Sequence, residues 1–542
     1  MLGLMQDRPL TIDSIFDRAL QYYAGREIVT RTVTGIERST VGAMGDEARR
    51  VAGYLDAAGI APDAFVGTFG WNTMRHLALY FAIPSSGRVM HTINIRYFPD
   101  QLTYSVNHAE DRAIFVDRSL LPLLAPRLPE FETVEHVVVM DDGAEHELPD
   151  DPRVVRYADV VPAAAPADFI GRVTDENQAA AVCYTTGTTG NPKGVLYSHR
   201  SAWLHASMLG LASTFGLTDS DRVMPVVPMF HANAWGLPYA AMMAGAGMVM
   251  PGPDLSPAAL LELLESERVT VTGGVPTIWM GILPLLPGRD LGALRAILCG
   301  GSAVPRSLSE AYREAIGVPM RQAWGMTETS PVATVAGLRA EYADADPETQ
   351  ADVRATQGLP APAVEIRIVD SETREPQPWD DTASGEVEVR GPWIARQYFR
   401  TDSPGEQFSP DGWLRTGDVA AISADGYVRL VDRTKDLVKS GGEWISSVDV
   451  ENHLMAHPKV AEAAVIAIPH PKWSERPLAC VVLKAGEHAD RQELLDFLAE
   501  RLSKWQVPDD VVFIDEVPKT SVGKFSKKTL RERFADYRLP TA

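Results

Sequence analysis

The chain has 542 residues, with 51 basic and 72 acidic side chains and a formal net charge of −21. This length predicts more than one domain. The acidic balance argues against nucleic acid or an anionic membrane as the main partner. The three cysteines, Cys183, Cys299 and Cys480, lie far apart and lack metal-ligand spacing, which argues against a disulfide framework and a zinc site.

Predicted helices and strands alternate through roughly the first 430 residues. Helical spacing predicts helices over residues 47–58, 74–83, 197–208 and 257–267. Apolar runs predict strands over residues 65–69, 112–116, 179–184 and 269–273. Alternation of this kind is typical of an α/β fold with largely parallel sheets covered by helices.

The segment from Val223 to Pro253 contains no Asp, Glu, Lys or Arg. It exceeds the roughly 20 residues that a membrane-spanning helix needs. Because prolines and glycines interrupt it repeatedly, the sequence instead predicts a buried strand, a loop, a short helix and a second strand. The N-terminal MLGLMQDRPL has no basic stretch followed by an apolar run, so a cytoplasmic location is the expectation.

The pattern changes near residue 430. Strands are predicted over residues 426–431, 460–468, 479–483 and 511–514, and helices over 448–456 and 491–502. These elements form a compact α+β unit, and a charged, glycine-bearing linker joins its first strand to the rest. We therefore predict two domains, over residues 1–431 and 432–542.

The stretch YTTGTTGNPKG (184–194) is rich in glycine and threonine. A glycine-rich loop between a strand and a helix can turn backbone N–H groups toward phosphate, and Lys193 would add a positive charge. It does not fit the loop G-x-x-x-x-G-K-[ST], because Pro192 replaces the second glycine and Gly194 replaces the hydroxyl residue. A flexible surface loop is the alternative.

Five stretches resemble, in order, the motifs of the adenylate-forming superfamily, which includes acyl-CoA synthetases, luciferases and peptide-synthetase adenylation domains. They are YTTGTTGNPKG (184–194), WGMTET (324–329), RTGD (415–418), DRTKDLVKSGGEWIS (432–446) and PKTSVGKFSKK (518–528). Residues 91–117, 227–235 and 439–451 further resemble the bacterial medium- and long-chain fatty acyl-CoA synthetase branch. The resemblance implies a large N-terminal AMP-binding domain of stacked mixed or parallel sheets with helices, and a small mobile α+β C-terminal domain.

The resemblance also implies a two-step reaction that uses ATP, Mg²⁺ and CoA. A carboxylic acid, of medium or long chain or similarly bulky and apolar, would form acyl-AMP and pyrophosphate. CoA would then take the acyl group and release AMP. A homodimer is expected by the same analogy. The alternatives are an acyl-AMP ligase that loads a separate carrier protein, a non-catalytic nucleotide-binding protein on the same fold and a luciferase-like monooxygenase.

The resemblance assigns a role to each matched residue. Lys524 would bridge the carboxylate and the α-phosphate, Glu328 and Thr185 would hold Mg²⁺, His231 would orient the reacting groups, and Asp432 would be the hinge. The remaining nucleotide contacts would be Thr186, Gly187, Thr188, Thr189, Gly190, Lys193, Gly301, Ser302, Gln322, Ala323, Trp324, Thr327, Asp418, Arg433, Lys435, Lys439 and Trp444. The acyl and CoA channels would use Trp235, Gly300, Ala303, Gly441 and Gly442.

Several of these residues have plainer interpretations. Lys524 lies in a basic run that could be a solvated tail, and Trp235 could be an ordinary core tryptophan. Glu328 could sit at a helix N-terminus for the favourable dipole, and an isolated Gly-Asp pair such as that at Asp418 is typical of a turn. The pair Ala323-Trp324 replaces the usual Gly-Tyr, and Arg88 and Ile95 also depart from the branch pattern, so the acyl chain length stays open.

Overall fold

The computed structural model describes residues 1, 3–185, 191–401, 405–441, 443–520 and 524–541, with only the backbone of residue 443. The strands in chain order are β1 (Glu27–Arg31), β2 (Ile36–Thr40), β3 (Phe65–Phe69), β4 (Val89–Thr92), β5 (Ala113–Asp117), β6 (His136–Met140), β7 (Val154–Arg156), β8 (Ala179–Tyr184), β9 (Gly194–Ser198), β10 (Arg222–Pro225), β11 (Gly247–Met250), β12 (Val271–Gly274), β13 (Ala296–Gly300), β14 (Met320–Gly325), β15 (Val332–Val335), β16 (Leu359–Pro360), β17 (Glu365–Val369), β18 (Ser384–Arg390), β19 (Leu414–Ile422), β20 (Val428–Arg433), β21 (Val438–Ser440), β22 (Glu443–Ile445), β23 (Val460–His470), β24 (Ser474–Leu483) and β25 (Asp510–Phe513).

The helices in chain order are α1 (Ile12–Tyr23), α2 (Val41–Ala57), α3 (Met74–Ser85), α4 (Pro99–Ala109), α5 (Leu121–Leu124), α6 (Tyr157–Val160), α7 (His199–Leu209), α8 (Leu237–Ala244), α9 (Pro257–Ser266), α10 (Pro276–Ile282), α11 (Arg306–Ile316), α12 (Pro347–Arg354), α13 (Ser447–Met455), α14 (Arg491–Ala499) and α15 (Lys527–Arg533). None of them, within the part of the chain that the structure describes, has both the length and the apolar character needed to cross a membrane.

Two large sheets form the body of the protein. The first sheet has the strand order β7-β6-β5-β3-β4-β8-β9, and the second has the order β16-β15-β14-β13-β12-β10-β11-β1-β2. Most neighbouring strands in both sheets are parallel. Strands such as β5 and β13 are buried along their whole length, which is why they are continuous apolar runs rather than alternating ones.

Helices α1, α2, α3, α7 and α8 pack against one another beside these sheets. Their buried side chains belong to one hydrophobic cluster that also includes residues of both sheets, such as Phe115, Cys183 and Met248. Parallel strands need crossover helices, and the apolar stripes of those helices here join the two sheets through a single core.

The position of the site follows from the second sheet. Strands β10, β12, β13 and β14 are parallel neighbours, so their carboxyl ends lie at one edge. Ligands of open α/β sheets bind at this edge. The segments that leave these ends carry His231 and Trp235 after β10, Gly301 after β13, and Glu328 after β14.

The last two sheets are smaller. The third sheet, β17-β18-β19-β20, is antiparallel. The small unit, which we define as the part of the chain from Val438 onward, contains the sheet β22-β21-β24-β23 with β25 added to β24, together with α13, α14 and α15. Two hydrophobic clusters of the small unit cover the two faces of that sheet. The α/β class with a large and a small α+β part is therefore confirmed.

Most predicted elements are present, with ends shifted by a few residues. Strands β3 and β8 match their predicted bounds, and the uncharged segment forms β10, a loop, α8 and β11. The helix predicted over residues 197–208 is present as α7, but an unpredicted strand separates the glycine-rich loop from it. The loop leads into β9, which pairs antiparallel with β8, and α7 begins only at His199. The loop therefore has no helix dipole behind it, and any phosphate binding must come from backbone N–H groups, hydroxyls and Lys193.

Candidate active site

A cleft of about 360 Å³ lies where the carboxyl edge of the second sheet meets the small unit. Both parts contribute residues to its wall. The lining includes Thr185, Lys193, His231, Trp235, Gly301, Ala323, Trp324, Thr327, Glu328, Tyr398, Arg433, Lys435 and Lys524. Twelve residues of this set are predicted site residues; they come from separate segments of the sequence, and one of them, Lys524, belongs to the small unit.

Lys524 reaches across from the small unit to the turn after β13. Its Cε lies 3.1 Å, and its Nζ 3.7 Å, from the point where a Cβ on Gly301 would stand. Gly301 has a φ of +84°, so both the backbone conformation and the close approach favour glycine. Burial lowers the pKa of Lys524 to about 8, and the nearby Arg433 acts in the same direction.

The backbone on either side of Lys524 is tied to Thr520. The N–H of Lys524 donates to the Thr520 hydroxyl at 3.2 Å, and the N–H of Thr520 donates to the Lys524 carbonyl at 2.7 Å. Residues 519 and 525 form a further antiparallel bridge. These contacts fix the backbone of Lys524 against residues 519 and 520, so its reach into the cleft is set by the backbone and not only by side-chain rotamers.

Glu328 lies in a short 3₁₀ turn, Thr327–Thr329, after β14. The hydroxyl of Tyr398 donates to Glu328 Oε1 at 2.6 Å, and Tyr197 donates to the carbonyl of Thr327 at 2.7 Å. Burial raises the pKa of Glu328. The ammonium of Lys193 lies 4.7 Å from the ring centroid of Tyr398, which places a cation on the same side of the cleft.

Asp418, on β19, is buried and holds two partners. The indole N–H of Trp324 donates to its Oδ2 at 2.9 Å, and Nε of Arg433 lies 2.8 Å from its Oδ1. The aspartate raises the pKa of Arg433, which is charged in any case. A carboxylate has about four acceptor positions, so this arrangement orients Asp418 and leaves it capacity for further donors, such as ribose hydroxyls.

Asp432 lies near the end of β20, where the body meets the small unit. Its Oδ2 accepts a hydrogen bond from the N–H of Ser447 at 2.7 Å and another from the Ser447 hydroxyl. Nζ of Lys527 lies 2.5 Å from that hydroxyl and 2.7 Å from Glu451 Oε1. The predicted hinge residue is thus anchored to the first turn of α13 in the small unit.

His231 and Trp235 belong to the segment after β10. Burial, with the charges of Lys524 and Arg96, lowers the pKa of His231 to about 3, so its imidazole is neutral at ordinary pH. The following turn, Ala232–Gly236, is left-handed, with φ values between 44° and 75°. A non-glycine residue in this conformation costs roughly 1–2 kcal/mol, so the four before Gly236 must be held in place by their surroundings.

Other predicted residues lie elsewhere. Lys439 and Trp444 pair with each other on the surface of the small unit, with Nζ 5.4 Å from the indole, and they do not line this cleft. Gly441 contacts Trp473, whose Cε3 would lie 2.8 Å from a Cβ there. Gln322, by contrast, lines the continuation of the cleft beside Asp418, and its side chain makes four hydrogen bonds within the protein.

The turn Gly300, Gly301, Ser302 and Ala303 runs beside the cleft, and Ser302 and Ala303 line its continuation next to Asp418. Thr186, Gly187, Thr188, Thr189, Gly190 and Gly442 are outside the described residues. The described ends of the phosphate loop are joined, because the N–H of Thr185 donates to the Lys193 carbonyl at 2.8 Å.

Tyr398 is the main contributor that the sequence analysis missed. It touches Glu328 and lies beside Lys193, but it sits in an irregular stretch, ARQYFR, with no periodicity to mark it. The only available signal was a tyrosine with two neighbouring arginines in a segment that matches no regular element.

Comparison with known proteins agrees with this geometry. Residues 16–399 match the family model described as AMP-binding enzyme, and residues 449–524 match the AMP-binding enzyme C-terminal domain. The chain therefore belongs to the AMP-binding enzyme family, within the adenylate-forming superfamily. The predicted class, an AMP-forming acid–thiol ligase, is confirmed by the curated relatives, which are CoA ligases.

Three relatives and one structure define the similarity further. The chain is 46% identical to a long-chain-fatty-acid–CoA ligase of Thermus thermophilus, covering 98% of this chain and 97% of that one. It is 45% identical to a 3-methylmercaptopropionyl-CoA ligase of Ruegeria pomeroyi, covering 99% of both chains. It is 40% identical to a medium-chain-fatty-acid–CoA ligase of Ectopseudomonas oleovorans, covering 99% of this chain and 98% of that one. A crystal structure of an anthranilate CoA ligase with anthranoyl-AMP matches with a TM-score of 0.86 at 26% identity, covering 98% of this chain and all of that one.

Proposed function

We propose that this ligase activates an apolar carboxylic acid of medium or long chain length. The acid carboxylate attacks the α-phosphorus of ATP to give acyl-AMP and pyrophosphate, and the thiol of CoA then attacks the acyl carbon and releases AMP. One observation carries the proposal: Lys524 of the small unit lies beside Gly301, in the cleft that Glu328 and Asp418 also border. That arrangement is suited to the first of the two reactions.

The chemical difficulty of the first reaction is electrostatic, because a carboxylate must approach a triphosphate. Lys524, Lys193, Arg433 and Lys435 all line the cleft, so four basic side chains surround the place where negative charge accumulates. Preorganised positive groups stabilise such a transition state without reorganising during the reaction. His231 is neutral, and a carboxylate nucleophile needs no base at pH 7, so we assign it an orienting role.

The residues also fit a magnesium ion held together with the nucleotide. Among the described residues, no cluster of three or more His, Cys, Asp or Glu side chains could bind a metal alone. Mg²⁺ is commonly held by one or two carboxylates together with substrate phosphates. Glu328 and the hydroxyl of Thr185, which both line the cleft, would hold it there, and the ion would neutralise phosphate charge. Tyr398 fixes one oxygen of Glu328 and leaves the other available.

The acyl end of the cleft is apolar. Trp235, Ala323 and Val332 line it, and all three are buried. The relatives described above are named for fatty acids and for 3-methylmercaptopropionate, which are monocarboxylic acids with apolar tails. An acid with an apolar tail would suit a wall of this kind in the present chain.

For the second reaction we propose that residues 432–542 rotate as a domain about Asp432 and present the loop at Gly441 to the cleft. Support comes from the surface position of Gly441, Lys439 and Trp444, which this arrangement leaves away from the cleft. The hydrogen bonds between Asp432 and Ser447 lie within this rotating part and would tie the hinge residue to α13. A homodimer and a cytoplasmic location stay predictions.

The test is ATP–pyrophosphate exchange with the full chain, Mg²⁺ and a series of acids. The series should run from 3-methylmercaptopropionate to saturated acids of increasing length, with dicarboxylic acids as charged controls. We expect exchange with one or more of the apolar acids, and CoA-dependent AMP release with the same ones. Exchange with no acid would contradict the proposed function, and exchange without CoA-dependent release would favour a carrier-loading acyl-AMP ligase.

A further inference from the structure

Three buried polar side chains meet at the left-handed turn Ala232–Gly236. The thiol of Cys183 donates to Oδ1 of Asn233 at 3.2 Å, and the hydroxyl of Thr92 donates to the same oxygen at 3.4 Å. The Thr92 hydroxyl and the Cys183 sulfur are themselves 3.2 Å apart. Each of the three residues is no more than 5% exposed, so water cannot easily replace any of these contacts.

These contacts connect the two large sheets. Thr92 ends β4 and Cys183 lies in β8, adjacent parallel strands of the first sheet, whereas the turn belongs to the segment that leaves β10 of the second. Further upstream, Asn72 binds the same segment through the carbonyls of Pro225 and Val227 and the N–H of Met229. The side chain of Asn233 links the turn itself to the first sheet.

The conformation of the turn makes such a link necessary. Residues 232, 233, 234 and 235 have φ values of 44°, 52°, 49° and 57°. Alanine and tryptophan are disfavoured in this region, while asparagine is one of the few side chains that visit it readily. Contacts with the rest of the protein must therefore hold the turn, and those of Asn233 are made by the side chain two residues before Trp235.

The position of Trp235 matters because its indole forms part of the cleft wall. Its Cη2 lies 3.5 Å from the point where a Cβ on Gly300 would stand. The indole is therefore packed against the turn that borders the acyl-AMP site, and a small rotation of the left-handed turn would move this wall.

We propose that Thr92, Cys183 and Asn233 are positioning residues that hold the left-handed turn and thereby fix the indole of Trp235 as the wall of the acyl site. The proposal rests on the proposed function, in which that indole bounds the acyl chain. None of the three touches the acid, yet together they determine which acyl lengths fit.

The experiment measures kcat/KM in pyrophosphate exchange for the longest and the shortest acid that the unmodified enzyme activates, and takes their ratio. Removing one donor with Cys183→Ala should change the ratio at least about fivefold, the scale of one buried hydrogen bond. Cys183→Ser keeps a donor and should restore the ratio to within twofold. Cys480→Ala removes an equally buried thiol in the small unit and should leave it unchanged.

Asn233 variants separate backbone preference from side-chain contact. Asn233→Gly favours the left-handed conformation but loses the side chain, so we expect it to change the ratio at least about fivefold in the same direction as Cys183→Ala. A ratio unchanged within twofold in both of these variants would overturn the inference. Thermal unfolding of each variant confirms that it is folded when assayed.

Trp235→Ala distinguishes the inference from the proposed function. If it shifts the ratio while Asn233→Gly and Cys183→Ala do not, the indole is the wall and the three residues do not position it. If Trp235→Ala leaves the ratio unchanged while exchange persists, the inference is wrong and the ligase activity stands. Exchange with no acid, even in the unmodified enzyme, would reject the proposed function and the inference together.

Discussion

Replacing Lys524 by alanine removes a cation that the small unit brings to the turn at Gly301. With Nζ about 3.5 Å from an oxyanion and an effective dielectric constant of about 20, the gross attraction is about 4–5 kcal/mol. Water that fills the space of the missing side chain will recover part of this, which leaves about 3–4 kcal/mol. The corresponding loss in the rate of acyl-AMP formation is on the order of 10² to 10³.

The two half-reactions are measured separately. Pyrophosphate exchange reports acyl-AMP formation, and release of AMP from supplied acyl-AMP and CoA reports thioester formation. We expect Lys524→Ala to slow acyl-AMP formation by a factor on the order of 10² to 10³. The rate of thioester formation should stay within about threefold of the unmodified enzyme, because that reaction has no triphosphate for the lysine to neutralise. Lys519→Ala is the matched control, since Lys519 lies in the same basic run but pairs with Glu462 at 2.9 Å and is partly exposed.

Two outcomes would refute the reasoning. An equal loss of both half-reactions in Lys524→Ala would mean that the lysine supports the fold or the domain interface instead of the first transition state. A loss below about tenfold in exchange would mean that its charge is not close to the reacting phosphate. Lys524→Arg refines the result, because a guanidinium keeps the charge but changes the geometry.

Three further predictions concern the same cleft. The pKa of Lys524 in the free enzyme is about 8, and the charged form is needed, so kcat/KM for exchange should be highest below pH 8 and fall as the pH rises through 8. The kcat should stay constant to higher pH, because bound phosphate stabilises the ammonium. A kcat/KM that does not change up to pH 9.5 would contradict this prediction. Trp324→Phe removes the hydrogen bond that orients Asp418 and should raise the KM for ATP about fivefold with little change in kcat, and an unchanged KM would count against that role. Glu328→Gln should raise the Mg²⁺ concentration for half-maximal exchange at least about tenfold, and an unchanged magnesium dependence would exclude it as a ligand.

The sequence by itself determined the motifs and most of the elements, because both are encoded by residues close together in the chain. The apolar run Ala179–Tyr184 and the helical spacing around Met74–Ser85 depend on local burial patterns, and the breaks in the uncharged segment depend on proline and glycine. The sequence analysis did not predict β9, because this strand has only five residues and its conformation depends on antiparallel pairing with β8.

Only the tertiary structure decided how the distant residues meet. No local sequence pattern predicts that Lys524 lies beside Gly301. The same is true of the hydrogen bonds from the Tyr398 hydroxyl to Glu328 and from the indole N–H of Trp324 to Asp418. The left-handed turn Ala232–Gly236 likewise could not be predicted from its sequence, because alanine and tryptophan favour other backbone conformations. Such contacts depend on the packing of two sheets and a small unit, and that packing is a property of the whole chain rather than of any one stretch.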